Sequence, residues 1–377
     1  MRITSIETYK FWVDWCNWLL IKVNTDDGLY GWGEGSLHGN IQAVETAVHE
    51  LGAYLIGKDP SGIERHWQSM YHTWRWRGGA VSMTALSALD IALWDLEGKR
   101  LGVPVYRLLG GPFRTELPVY ASHWMTGVET PEQAQSQALE AVRRGFKGFK
   151  WVLFNRNQLR ENFYRELARA RECLEAARAA IGPEVNIYIE CAEMFSLRTL
   201  ELVAKEIEPY HPAWLEEPIP FENPAVMVQA QKQISIPIAT GERLLTRWEF
   251  IELIQQGGCK VVQPDVMHVG GLTEYKKVAS LADTYYIPVA PHNPGGPICT
   301  LASMHLAASI PNFLVLEQME EQRPARDRLT GQPIRFENGC FTLPEGPGLG
   351  IDIDMEAIQE YSFKPQPVNP ATQTIWW

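Results

Sequence analysis

Cysteine is scarce in this chain. Six are present among 377 residues (Cys16, Cys173, Cys191, Cys259, Cys299 and Cys340). They are scattered with no Cys-x-x-Cys pair, which excludes a disulfide framework and zinc-ligand spacing and leaves them as reduced packing residues. Positive charge is also short, because 34 Lys and Arg stand against 45 Asp and Glu for a net charge of −11. Phosphate backbones and anionic membrane surfaces are bound through clustered cations, so neither nucleic acid nor a membrane is an expected partner. Long apolar runs are missing too. The most apolar stretch, Ala80 to Leu96, is interrupted by Asp90 and Asp95, and Met1 to Phe11 lacks the basic-then-apolar order of a secretory signal. A soluble cytoplasmic protein is expected. There is no internal repeat or low-complexity tract, and 45% hydrophobic with 21% charged residues is ordinary globular usage, which excludes wholesale disorder.

What is present divides into two textures. Residues 1–118 read as an α+β unit: Ile3 to Lys10, Trp18 to Asn24 and Leu29 to Glu34 have strand character, with Asp27-Gly28 as turn chemistry. Helical spacing follows from Val81 to Lys99, where Leu86, Leu89, Leu93 and Leu96 recur at three- and four-residue steps. After Pro118 short apolar runs alternate with helix-like segments about 25 residues apart, the pattern of parallel strands with crossover helices. The runs are Val119 to Ser122, Gly148 to Val152, Ile187 to Ile189, Ala213 to Leu215, Ile236 to Thr240, Val261 to Gln263, Ile287 to Ala290 and Phe313 to Leu316. Helices are expected over Gln158 to Ala180 and Leu197 to Ile207. Eight strands predict an α/β fold with a (β/α)8-type barrel over 119–340. Residues 341–377, with the turn-rich Glu345 to Gly350 and a strand-like Ile351 to Ile353, form a C-terminal segment.

Nearly every expected barrel strand has one ionisable residue at or near its carboxyl end, and in a barrel those ends share one mouth. In order they are His123, Lys150, Glu190, Glu216, Glu242, Asp265, His292 and Glu317, the last six spaced by 26, 26, 23, 27 and 25 residues. Glu190, Glu216 and Glu242 would bring three anions together, for which a hard divalent cation is the natural neutraliser, and oxygen-only ligation favours Mg2+ over zinc. The bland alternative is mouth salt bridges with Lys150, Arg243 or Arg247. Asp265 could accept from one nitrogen of His292 and leave the other as a general base, although a lone His at a strand end is as often structural. Glu317 could donate to a substrate oxygen if protonated or merely pair with a cation. Lys150 could polarise a carboxylate or bridge Glu190 and Glu216.

The same residues, with Arg77-Gly-Gly79, Ala88-Leu-Asp-Ile-Ala-Leu-Trp-Asp-Leu-Glu-Gly98-Lys, Leu108-Leu-Gly-Gly111, Trp214-Leu-Glu-Glu-Pro218, Ala239-Thr-Gly-Glu-Arg243, Gln263-Pro-Asp265, Gly270-Gly271, Pro291-His292 and Leu316-Glu317, resemble the mandelate racemase-like branch of the enolase superfamily. Within that branch the chain is most similar to the galactonate-dehydratase group of acid-sugar dehydratases. The resemblance spans the full length. It implies Glu190, Glu216 and Glu242 as Mg2+ ligands, the first a Glu where many members have Asp. It further implies His292 with Asp265 as the dyad that removes the proton alpha to a carboxylate, Glu317 as the acid that hydrogen-bonds the enediolate, and Lys150 as the first lysine of the strand-two motif. The N-terminal unit, completed by the C-terminal tail, would be a capping domain, the substrate a small acid sugar, and the protein a homo-oligomer.

Two positions depart from the pattern. The second lysine of the racemases is Val152 here, so two-base racemisation is not expected. The leaving-group histidine of galactonate dehydratases is Ala192, which leaves His292 itself, His123 or Glu193 as alternatives. With one base and a β-hydroxyl, the implied reaction is elimination to a 2-keto-3-deoxy acid. An epimerase or lactone cycloisomerase working through the same enediolate, and a non-catalytic sugar-acid binder, are the rival readings. Trp12, Trp15, Trp18, Trp124 and Trp151 could stack on a sugar but serve equally as core. His38, Asn155, Arg156 and Asn293 could bind hydroxyls or be solvated loop, and His49, His66, His72, His211, His268 and His305 have no placed partner and read as structural.

Overall fold

The computed structural model describes residues 1–366. Residues 367–377, the end of the expected C-terminal segment, lie outside the described residues. The chain opens with an antiparallel meander of β1 (Ile3–Val13), β2 (Cys16–Thr25) and β3 (Tyr30–Glu34). Asp27 makes the second turn by accepting from the Thr25 hydroxyl at 2.6 Å, and Gly28 supplies its positive φ of 87°. Three helices follow: α1 (Ile41–Gly52), α2 (Ile63–Thr73) and α3 (Ala80–Leu101). The last begins after Gly79 and stops at a left-handed Gly102. It is buried nearly all round, including Thr84, Ser87, Asp90 and Asp95, because the meander covers one side and barrel elements the other.

The second sheet runs through parallel neighbours β4 (Glu116–Ser122), β5 (Gly148–Val152), β6 (Asn186–Glu190), β7 (Trp214–Glu216), β8 (Ile238–Thr240) and β9 (Val261–Val262). The last parallel strand, β10 (Leu316–Met319), pairs back onto β4. Between β9 and β10 the expected strand Ile287 to Ala290 is reduced to a single bridging residue, Val289, paired with Val262 on one side and Phe313 on the other. Pro288 and Pro291 flank this segment and have no N–H to give to a ladder. Tyr120, Tyr188, Trp214, Ala239, Val261, Ala290 and Val315 pack together as one buried cluster contributed by successive strands.

Three local expectations are corrected. The helix expected over Gln158 to Ala180 is two, Arg156–Glu161 and Phe163–Ile181, because Asn162 turns extended and its side chain accepts from Arg165 N–H as a new N-cap. A hairpin of β11 (Phe336–Glu337) and β12 (Cys340–Thr342) adds antiparallel to β4 through an Asn338-Gly339 turn that the sequence reading passed over. Ile351 to Ile353 is not a strand. It is tied to the meander through the Asp352 side chain: Trp32 Nε1 donates to Asp352 at 2.6 Å and Tyr30 also donates to Asp352. Farther along, Trp12 N–H donates to the Ser362 carbonyl and Asn17 to that of Lys364, so the described tail lies on the meander. No helix among the described residues is long and apolar enough to cross a membrane.

Candidate active site

The carboxyl ends of the parallel strands open on a cavity of about 700 Å³. His123, Lys150, Glu190, Glu242, His292 and Glu317 line it, and the buried Glu216 and Asp265 sit immediately behind them. Each follows from strand geometry: Val152 pairs with Glu190 across β5 and β6, and Glu190 pairs in turn with Glu216 across β6 and β7. His123, Ala192 and Glu217, just past their strand ends, take positive φ values of 54°, 44° and 42°. For residues with a Cβ such backbone is strained, and it clusters here at the mouth.

One carboxylate oxygen from each of Glu190, Glu216 and Glu242 lies within 4.8 Å of the other two. Glu190 accepts from Ala192 N–H at 2.6 Å. Glu216 accepts from Trp214 Nε1 at 3.0 Å and Gln263 Nε2 at 2.8 Å through one oxygen and from Lys150 through the other. Burial and the neighbouring Glu216 push the Glu190 carboxyl well above its ordinary range. An all-oxygen, acidic set with two members facing the cavity suits a hard divalent ion such as Mg2+ and is a poor match for a soft metal.

His292 donates or accepts through Nδ1 at 2.8 Å from Asp265 Oδ2, and its Nε2 is 3.2 Å from Glu242 Oε2. Asp265 is fixed in turn by Met267 N–H on its other oxygen at 2.7 Å. Burial disfavours a charge on His292, but Glu242, Asp265 and Glu317 outweigh it and push the imidazole up to about 10. The largest of these upward pulls comes from Glu242, so a cation shared by that carboxylate would return His292 toward the range of a working base.

Lys150 Nζ is 2.5 Å from Glu216, 2.7 Å from Glu317 and 3.6 Å from Glu190, fully enclosed. Glu317 also accepts from the Ser122 hydroxyl at 2.5 Å and from Asn293 N–H at 2.8 Å. Of the two alternatives for Glu317, these partners fit pairing with a cation. Burial pushes its carboxyl up, but Lys150 and His292 outweigh burial and hold it well below the usual range, as an ionised acceptor.

The remaining candidates separate cleanly. Trp15, Trp18, His38 and the two departing positions Val152 and Ala192 line the cavity. Trp151 is buried core and Trp124 donates to the Gln137 carbonyl. Trp12 donates to the Asp14 carbonyl. Asn293 is fully buried, its amide spent on the Glu317 carbonyl and Thr300, and Asn155 caps a helix, so neither is a hydroxyl binder. Arg156 donates to the Ala192 carbonyl. Glu193 is ion-paired to Arg243 at 2.5 Å and does not line the cavity, leaving His123 and His292 as the cavity-facing alternatives for the leaving group. Sequence reasoning missed His268, which lines the cavity and bonds Thr84 at 2.8 Å. The signal was its spacing, three residues after Asp265 in the same turn.

Comparison with known proteins shows the family. Residues 12–110 match the mandelate racemase / muconate lactonizing enzyme N-terminal domain family, and residues 133–357 match the enolase C-terminal domain-like family. D-galactonate dehydratase of Ralstonia pickettii (strain 12J) is 36% identical over 373 residues, covering 96% of this chain and 94% of its own. The D-galactonate dehydratase of Pectobacterium atrosepticum is 35% identical with the same coverage. Among solved structures, a member of the enolase superfamily from Salmonella Typhimurium superposes with a TM-score of 0.90 at 32% identity, over 96% of this chain and 98% of that one.

Proposed function

This chain belongs to the enolase superfamily and is an enzyme of the hydro-lyase class, and from that premise we propose that it is a Mg2+-dependent dehydratase of an aldonate. The product would be a 2-keto-3-deoxy sugar acid. The observation that carries the reading is the convergence of three carboxylate oxygens within 4.8 Å of one another beside a His292–Asp265 pair at 2.8 Å. The bridges of Val289 to Val262 and Phe313 support a closed barrel as the frame of this site. Cytoplasmic location and homo-oligomerisation belong to the same reading by family resemblance.

Glu190, Glu216 and Glu242 would hold the ion. When bound, a divalent cation supplies positive charge to offset the second negative charge that a carboxylate gains on enolisation. His292 Nε2 removes the α-proton, while Asp265 fixes Nδ1 and stabilises the imidazolium that results. Lys150 contributes a cation that never leaves the site, because its carboxylate partners keep it protonated. The enediolate then expels the β-hydroxyl, which leaves as water with a proton from the His292 imidazolium or, as the alternative, from His123, His292 then restoring His123; the enol tautomerises to the ketone. Val152 and Ala192 put side chains without a titratable group at the positions of a second base and a separate acid, which favours one-base elimination over two-base epimerisation.

The test is a library of sugar acids incubated with Mg2+ in deuterated water and read for a 2-keto product and for α-proton exchange. Keto product is expected from at least one aldonate, and His292→Asn should lose both signals. Product without a new keto group would make the enzyme an epimerase or cycloisomerase, and elimination that survives in His292→Asn would remove the base from its role.

A further inference from the structure

Helix α3 carries a buried polar stripe whose partners all lie in one short segment of the barrel. Thr84, Ser87, Asp90 and Trp94 recur at steps of three, three and four, on one helix face. Thr84 Oγ1 bonds His268 Nδ1 at 2.8 Å, and Ser87 Oγ accepts from Gly270 N–H at 2.9 Å. Asp90 accepts from the Thr273 N–H at 3.0 Å and its hydroxyl at 2.5 Å, while Trp94 Nε1 donates to that hydroxyl oxygen at 2.8 Å. Thr84, Ser87 and Asp90 are all fully buried. The segment they grip, 268–273, starts three residues after Asp265, whose side chain bonds His292.

Burying three polar side chains costs free energy that an apolar face of the same shape would not. The stripe is therefore not needed merely to pack a helix. What it provides is fixity: Gly270 and Gly271 have positive φ values of 120° and 70°, and unrestrained glycines leave a loop free to shift. At Gly271 an added Cβ would fall 2.4 Å from Asp90 Oδ2, so loop and helix are in closest approach there. At the near end His268 spans the gap: Thr84 binds one ring nitrogen, and the other is 3.8 Å from the same Asp265 oxygen that holds His292.

We propose that this stripe is a clamp that sets the His292–Asp265 pair from the capping side, with Thr84 and His268 as positioning residues of the proton-transfer step. The inference rests on the reading of His292 as the base. Partners that orient a metal-ligating imidazole from behind are commonly worth about 10- to 100-fold in activity, and the same scale is expected for an imidazole base.

The test compares Thr84→Val, Thr84→Ser and His268→Gln in the Mg2+-loaded full chain, using D-galactonate or whichever aldonate the library selects. Thr84→Val and His268→Gln should lower kcat for α-proton exchange by about 10-fold or more, with KM within about twofold and an unchanged unfolding midpoint. Thr84→Ser, which keeps the hydroxyl, should restore kcat. In 15N-histidine-labelled protein, the His292 Nδ1–H resonance should exchange faster with solvent in the two clamp-cutting variants. An unchanged kcat, a rise in KM alone, or a fall in kcat that tracks a lower midpoint and is not rescued by Thr84→Ser would each overturn the clamp. If the wild type acts on no sugar acid, the dehydratase reading fails, and an unaltered His292 resonance in the variants would separately overturn the clamp.

Discussion

His305 shows how a single side chain in this fold links stability to pH. It is fully buried in the helix Pro297–Ser309, stacked on Tyr106 and accepting the Tyr106 N–H through Nδ1 at 3.1 Å. Burial is the main reason its pKa falls from 6.5 to about 4, weakly opposed by the Leu349 carbonyl. In the unfolded chain the ring takes a proton near 6.5, whereas in the folded chain it stays neutral until about 4. Between those values the unfolded state binds more protons, so stability rises with pH across the window and is lost as acid is added. The loss is on the order of 3 kcal/mol by pH 4. Urea unfolding of wild type and His305→Gln from pH 7 to pH 4 should show a smaller acid-induced drop in the variant; parallel curves would remove His305 from the account. The same burial acts differently at Glu317, where Lys150 and His292 overcome it, with the Ser122 hydroxyl and Asn293 N–H as further partners.

At the scale of elements, β3 and α3 are joined by glycine. A Cβ on Gly33 would lie 2.0 Å from the Ala88 carbonyl oxygen, and one on Gly31 would lie 2.0 Å from that of Ala92. Strand and helix backbones are in direct contact, and this brings the meander down onto the helix that grips residues 268–273. Gly33→Ala should destabilise the protein by about 3 kcal/mol or more, since neither backbone can yield without moving the other. Thermal unfolding measures it, and a midpoint within a degree of wild type would mean that the contact relaxes easily. The split at Asn162 and the bridge at Val289 have a like origin: a local capping side chain in one case and two prolines in the other prevail over apolar periodicity.

For the molecule as a whole, the candidate metal site is assembled from three strands and so reports on the folded state alone. An ion that binds only the native arrangement stabilises it by mass action, by about 2.7 kcal/mol at a hundredfold excess over Kd. Chelator-treated protein should therefore gain a higher unfolding midpoint on addition of Mg2+, and Glu216→Gln should lose most of that gain. Equal midpoints with and without Mg2+ in wild type would count against Glu190, Glu216 and Glu242 as ligands.

Much of this arrangement was determined by the sequence alone. One ionisable residue recurs about every 25 positions from Glu190 to Glu317, and a βα repeat of that length delivers each to the same end of a parallel sheet; the three-carboxylate cluster and the His292–Asp265 pair were legible for that reason. The hairpin at Asn338-Gly339 was equally open to reading. The ionised state of Glu317, the diversion of Glu193 to Arg243 and the contact of Thr84 with His268 were decided only by tertiary structure. Those contacts join residues as far as 195 positions apart. Local periodicity sets which face a side chain occupies, but the charge and hydrogen-bond partners it meets there come from other elements, and only the packed chain brings them within reach.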